Sequence, residues 1–177
     1  MTEYINTHQN IKDNEEKESN ENERVIAEKQ MMDRRRALFI GDEYKYYYRD
    51  KFNRIELEKK DIGFHIPAFF LGFIWLFYRK MYGFGLTIIG LIILIEIINL
   101  YFLKLPSFSG LIVSFFLAIK ANGLYKQFVT NKIQKIENEY QEDKLIDQAI
   151  QKKGGVNTTI VTIIVIVFIA LVILTLI

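Results

Sequence analysis

FGLTIIGLIILIEIINLYFL, residues 84 to 103, decides how this chain of 177 residues is read. Fourteen of those side chains are Leu, Ile or Phe. Each favours insertion into lipid by about 0.3 to 0.6 kcal/mol, against a penalty of roughly 3 kcal/mol for the one acid, Glu96. At a rise of about 1.5 Å per residue the stretch covers roughly 30 Å, the hydrocarbon thickness of a bilayer. It prefers lipid tails to water.

Three further apolar runs surround it. Thr158 to Ile177 carries no charge and predicts a second span. Pro106 to Tyr125 predicts a third, provided that Lys120 extends its ammonium to the inner interface. Ile62 to Tyr78 is different. With Pro67 in the first turn of a helix, about twelve residues remain, roughly 18 Å, which is too short to cross. Its Phe64, Phe69, Phe70, Phe73, Trp75, Phe77 and Tyr78 are side chains that favour the headgroup level. This run reads as a re-entrant or interfacial helix.

Charge is kept apart from these runs, which implies two solvents. Residues 1–30 hold eight acids and four bases with few large apolar side chains, and read as a disordered acidic arm. Residues 31–61 form a cytoplasmic helical lead-in, in which Tyr48, Phe52 and Ile55 share a face. Residues 62–155 are the membrane module, comprising 62–78, the spans 84–103 and 106–125, and a cytoplasmic amphipathic helix over 126–153. Tyr125, Val129, Ile133, Ile136 and Tyr140 line one side of that helix, and Gly154-Gly155 stops it. Residues 156–177 form the C-terminal transmembrane helix. The polar first residues contain no apolar core, so no cleavable signal peptide is expected.

Basic residues sort by loop. Five (Arg49, Lys51, Arg54, Lys59, Lys60) precede the first apolar run closely and two (Arg79, Lys80) follow it. One, Lys104, separates the next two runs, and seven lie from Lys120 to Lys153. The positive-inside rule makes the Lys104 loop external and puts the N-terminus in the cytoplasm, with the C-terminus at the outer face.

Several polar groups are candidate sites. Glu96 and Asn99 share a helical stripe with Gly85, and Ser114 lies at about the depth of Glu96 in an antiparallel hairpin. One reading is a proton or cation site, and the other is a protonated carboxyl that joins neighbouring helices. A relay needs more than one ionisable group, and the sequence supplies no second at that depth. Trp75, Tyr78, Arg79, Lys80 and Tyr82 form an interfacial cluster, suited either to an anionic lipid headgroup or to simple anchoring. His65 has no second metal ligand near it. With no cysteine in the chain, thiol chemistry is excluded. A formal charge of +2 without a basic aromatic stripe excludes a nucleic-acid binder. No nucleophile–base set assembles, and no cofactor is called for.

The run AFFLGFIWLFYRKM, Ala68 to Met81, resembles the signature of an uncharacterised bacterial inner-membrane family, domain of unknown function 2628. Ala68, Phe69, Phe70, Gly72, Trp75, Tyr78, Arg79, Lys80 and Met81 carry the likeness. Phe39-Ile40-Gly41, Tyr47-Tyr48, Lys51 and Phe52 resemble the lead-in. Ala121-Asn122, Tyr125 and Gly154-Gly155 resemble the closing part, so the likeness covers roughly Leu38 to Gly155. It departs where His65-Ile66-Pro67 stands in place of a Trp-Asn pair. The resemblance implies a membrane module with no assigned reaction.

The sequence thus predicts an all-α membrane protein of a bacterial inner membrane. It has three transmembrane helices, a short interfacial helix, a cytoplasmic amphipathic helix and a disordered arm. Its expected role is a non-enzymatic interaction or assembly module. Its expected partners are the bilayer with its anionic headgroups, and a second copy or another membrane protein. The alternative is a small oligomeric transporter of protons or cations using Glu96.

Overall fold

The stripe Tyr44, Tyr48, Phe52 repeats every four residues, and in the computed structural model all three rings are buried. The structure describes residues 2–61, 63–103 and 108–176, with side chains described over 16–61, 63–102 and 108–175. Helix α1 is Thr2–Ile40, and a π-helical turn at Tyr44–Tyr48 leads into α2, Arg49–Glu58. Two short helices follow, α3 (Ile66–Leu71) and α4 (Phe73–Tyr78). Then come α5 (Tyr82–Ile98, extended by a π-helical turn Asn99–Leu103), α6 (Ser109–Glu139), α7 (Asp143–Lys153) and α8 (Thr158–Leu176). Among the described residues every regular element is helical. The Lys104 loop expected to be external, the Pro106 start and the residues Ile62 and Ile177 lie outside the described residues.

The core joins the two stripes that the sequence marked. Tyr125, Val129, Ile133 and Ile136 on α6 are buried against Tyr44, Tyr48 and Phe52, with Tyr48 and Tyr125 rings 4.9 Å apart. Phe39 and Ile40 from α1, and Ile146 and Ile150 from α7, close the same core. Each large side chain buried this way contributes about 1.5–3 kcal/mol. The two amphipathic faces therefore satisfy each other. Arg35 is buried between carboxylates of two helices, Glu137 at 2.6 Å and Asp143 at 2.7 Å, and ties α1 to α6 and α7. Arg36 reaches Glu56 at 2.8 Å.

Three expectations change. The run 62–78 is not one helix but α3 and α4, broken at Gly72, whose φ of 54° and ψ of −131° suit a residue without a side chain. A β-carbon there would lie 2.8 Å from Ser114 Oγ, so the break presses directly on α6. The helix 126–153 is likewise two. α6 ends at Glu139, Tyr140 is extended, and α7 restarts at Asp143, where the apolar stripe loses phase. Helix α1 takes in residues 2–30, expected as a disordered arm, together with the first part of the lead-in. Its side chains from Glu16 to Met31 are all exposed, so local propensity alone supports that stretch.

The count of candidate spans falls from three to two. Tyr82–Phe102 and the apolar window of the run ending in α8 are long and apolar enough to cross a membrane, and almost nothing along either window is buried. Pro106–Tyr125 does not qualify. Its exposed apolar side chains run from Phe108 to Ile119 only, about twelve residues or roughly 18 Å. Beyond Leu117 the same helix turns into the protein core, where Ala118, Ala121, Asn122 and Tyr125 are buried.

The two apolar helices leave the body from adjoining points. Asn157 caps α8 by accepting from the Ile160 amide at 3.0 Å, and its Nδ2 donates to the Tyr82 hydroxyl at 2.8 Å at the start of α5. The Asn157 amide donates to the Tyr78 carbonyl at 2.8 Å, and the Lys80 ammonium to the Gly154 carbonyl.

Candidate functional site

A buried polar node lies where α2, α3, α4 and α6 meet. His65 caps α3, its Nδ1 accepting from the Ala68 amide at 3.1 Å, while its own amide donates to the Ala118 carbonyl at 2.9 Å. A ring nitrogen that accepts from an amide carries no proton, so the neutral ring holds its proton on Nε2. Nε2 therefore donates to the Tyr48 hydroxyl oxygen, 2.9 Å away. That oxygen also accepts from Arg79 Nη2 at 3.2 Å, and the same Nη2 donates to Glu43 Oε2.

Arg79 is the centre of the node. It is 3% exposed, and its guanidinium carbon lies 5.1 Å from the ring centroids of Tyr48 and Tyr125 and 5.3 Å from that of Tyr78. A desolvated cation against aromatic faces is held by each contact with about 0.5–2 kcal/mol. His65 packs against Trp75 with centroids 4.6 Å apart. A cleft of about 330 Å³ opens beside the node, lined in part by Glu43, Tyr47, Tyr48, His65, Trp75 and Arg79.

Burial and the Arg79 charge set the protonation of the node. Burial first, and the Arg79 charge second, push His65 down to about 4. Burial also raises Tyr48, although Arg79 pulls the other way. Tyr125 is pushed up to about 12, again chiefly by burial. Near neutral pH the group is thus a neutral imidazole, neutral phenols and one ion pair. His65 has no free lone pair with which to activate Tyr48. The node positions helices.

The residues singled out from sequence divide between places. Trp75 (1% exposed) and Arg79 belong to the core and not to a lipid-facing surface, because the rings around them come from α2 and α6. Tyr78 and Lys80 are half-buried at the junction with α8, and Tyr82 is at its edge. Glu96 and Asn99 are half-buried on α5. Glu96 Oε1 accepts from Ser109 Oγ across to α6, while Ser114 lies against Gly72. The run Glu43 to Tyr48 stands out in the sequence as a possible partner surface, but its pairing with Arg79 and His65 does not. The signal was there in the Tyr44–Tyr48–Phe52 spacing, which needs a buried partner for two hydroxyls. Among the described residues no group of three or more His, Cys, Asp or Glu is placed to hold a metal ion.

A family model described as Protein of unknown function (DUF2628) matches residues 17–130. The match takes in every member of the node and all of α5, and stops before α7 and α8. No curated protein and no solved structure matches the chain.

Proposed function

This chain belongs to the family described as Protein of unknown function (DUF2628), and from that premise we propose a non-enzymatic interaction or assembly module of a bacterial cytoplasmic membrane. In this reading α5, α8 and the exposed first turns of α6 lie in the bilayer, and the rest of α6 joins the remaining helices in a body on the cytoplasmic side. The observation that carries it is the exposure of α5 and α8. Leu86, Leu91, Ile93 and Leu94 on the first, and Ile163, Ile166, Phe168 and Leu174 on the second, are exposed around the helix rather than along one stripe. Apolar surface of that extent belongs against lipid or protein.

Topology follows from the connections. α5 leaves the body and α6 returns to it, whereas α8 leaves the body at Asn157 and is long enough to put its far end across the membrane. The basic residues gather on the body side. Because the Tyr48 and Tyr125 stripes are occupied by each other, a protein partner meets other surface of the body. The node of Arg79, Tyr48 and His65 serves this role by fixing α3 and α4 at the junction.

The chain has no native cysteine, so single cysteines report sides cleanly. Tyr48 is buried, and the exposed Tyr46 is the better probe. Tyr46→Cys should react with an impermeant maleimide only after permeabilisation, and Thr175→Cys in intact cells. Labelling of Tyr46→Cys in intact cells overturns the orientation. Release of the chain into the soluble fraction by carbonate overturns the membrane reading. Proximity labelling from the body should enrich particular proteins, and a return of bulk membrane background alone would count against a partner.

A further inference from the structure

Lys59, Lys60, Lys120 and Lys126 line one open groove of about 770 Å³ between the end of α2 and the middle of α6, with Asp61 the single acid in its wall. The groove lies where exposed surface changes character. On α6 the exposed side chains are Phe115, Phe116 and Ile119 up to Lys120, which is itself 64% exposed at its side chain. On the α2–α3 connection they change from Lys59 and Lys60 to Phe64 and Ile66. Both strands of chain cross this boundary at the same place. Lys120 Nζ and Asp61 Oδ2 are 2.7 Å apart on the charged side, and the rings of Phe64 and Phe115 are 5.9 Å apart on the apolar side.

We propose that this groove binds the phosphate headgroup of an anionic glycerophospholipid, with the acyl chains along Phe64, Phe115 and Phe116. The inference rests on the membrane reading above and deepens it. Charge complementarity selects the headgroup: four lysines line the groove with one carboxylate in its wall, Lys60 also reaching Glu58 at 3.1 Å outside it. The apolar rim selects lipid over an acidic peptide, which would need polar surface there. Gly123 leaves the room that Asp61 fills, since a β-carbon there would stand 1.7 Å from its Oδ1, and from that wall the carboxylate steers Lys120 across the groove. Lys126 is tied to Glu56 at 3.1 Å and forms the inner wall, leaving Lys59, Lys60 and Lys120 as the exposed donors. Lys59 is left-handed, φ 51°, at the end of α2, a position that glycine fills more readily.

The test uses the full chain in phosphatidylcholine nanodiscs doped with spin-labelled phosphatidylglycerol or phosphatidylcholine, with the motionally restricted fraction of each as readout. The wild type should prefer the anionic label. Each exposed ammonium contributes up to about five-fold, so Lys59→Gly/Lys60→Gln/Lys120→Gln should bring the preference close to parity. Lys144→Gln/Lys152→Gln, on the exposed face of α7, should leave it unchanged. Lys59→Gly alone should weaken the preference without lowering the unfolding temperature, which separates binding from folding. An unchanged preference in the triple variant, or an equal loss in the α7 variant, overturns the proposal while leaving the bilayer anchor intact. Loss of the preference on adding millimolar inorganic phosphate, but not equal ionic strength of chloride, identifies a free-phosphate site and overturns the lipid assignment. A chain that never enters the nanodiscs fails the membrane reading, and the headgroup site falls with it.

Discussion

Gly154 rests on the backbone of Phe39: a β-carbon at Gly154 would stand 2.2 Å from the Phe39 carbonyl oxygen. The neighbouring Gly155 amide donates to that same oxygen at 2.7 Å, so the end of α7 is joined to the end of α1 backbone to backbone. Neither partner is a flexible side chain, and neither can move aside. Gly154→Ala should therefore destabilise the protein by about 3 kcal/mol, the upper range for overpacking a core. Gly90→Ala, where nothing lies within 4 Å, should be neutral to within about 1 kcal/mol. The sole tryptophan, Trp75, is buried and supplies the fluorescence readout for thermal unfolding in detergent.

His65 makes stability depend on pH. Its value falls from 6.5 unfolded to about 4 folded, so between those values the unfolded chain binds more protons. The contribution is complete above about pH 6.5 and is lost as the pH falls to about 4. Over that window the loss amounts to roughly 3 kcal/mol. His65→Asn keeps an acceptor for the Ala68 amide and removes the titration. Its unfolding free energy should change less between pH 6.5 and pH 4 than that of the wild type. Equal slopes for the two proteins would refute the assignment.

Arg79→Lys should behave as a disruptive change. An ammonium cannot lie flat between the Tyr48 and Tyr125 rings while also donating to Tyr48 and Glu43. A loss of about 1–3 kcal/mol is expected, with Glu43→Gln milder because the Glu43 side chain is half exposed. Chemical denaturation followed at Trp75 checks the order.

Glu96 and Ser109 join α5 to α6 by a side-chain hydrogen bond. Glu96→Gln preserves an acceptor there and should leave stability within about 0.5 kcal/mol, whereas Ser109→Ala should lose about 0.6 kcal/mol. In reconstituted vesicles neither variant should alter proton permeability. A flux that Glu96→Gln abolishes would favour transport over helix bridging.

Helical content and the apolar run around Glu96 were legible because composition and periodicity report them directly. The number of spans was not. On α6 the side chains Leu111 and Ile112 are exposed while Leu117 and Ala121 are buried by protein, and hydropathy assigns both pairs to the same class. Trp75 and Arg79 were misplaced for the same reason, since local sequence is identical whether aromatics face lipid or Tyr125. The node itself depends on distance along the chain. His65 meets Tyr48, 17 residues away, and Arg79 meets Glu43, 36 residues away, so no local window contains either pair.

α6 runs unbroken for 31 residues, about 46 Å, with its first turns among apolar side chains and its last against Arg35 and α7. A rod of that length works as a lever. In a bilayer, a change in thickness that tilts it by about 5° displaces its far end by roughly 4 Å. The ion pair between Arg35 and Glu137 lies near that end, so such a tilt would reach the contact that seats α1 on the body.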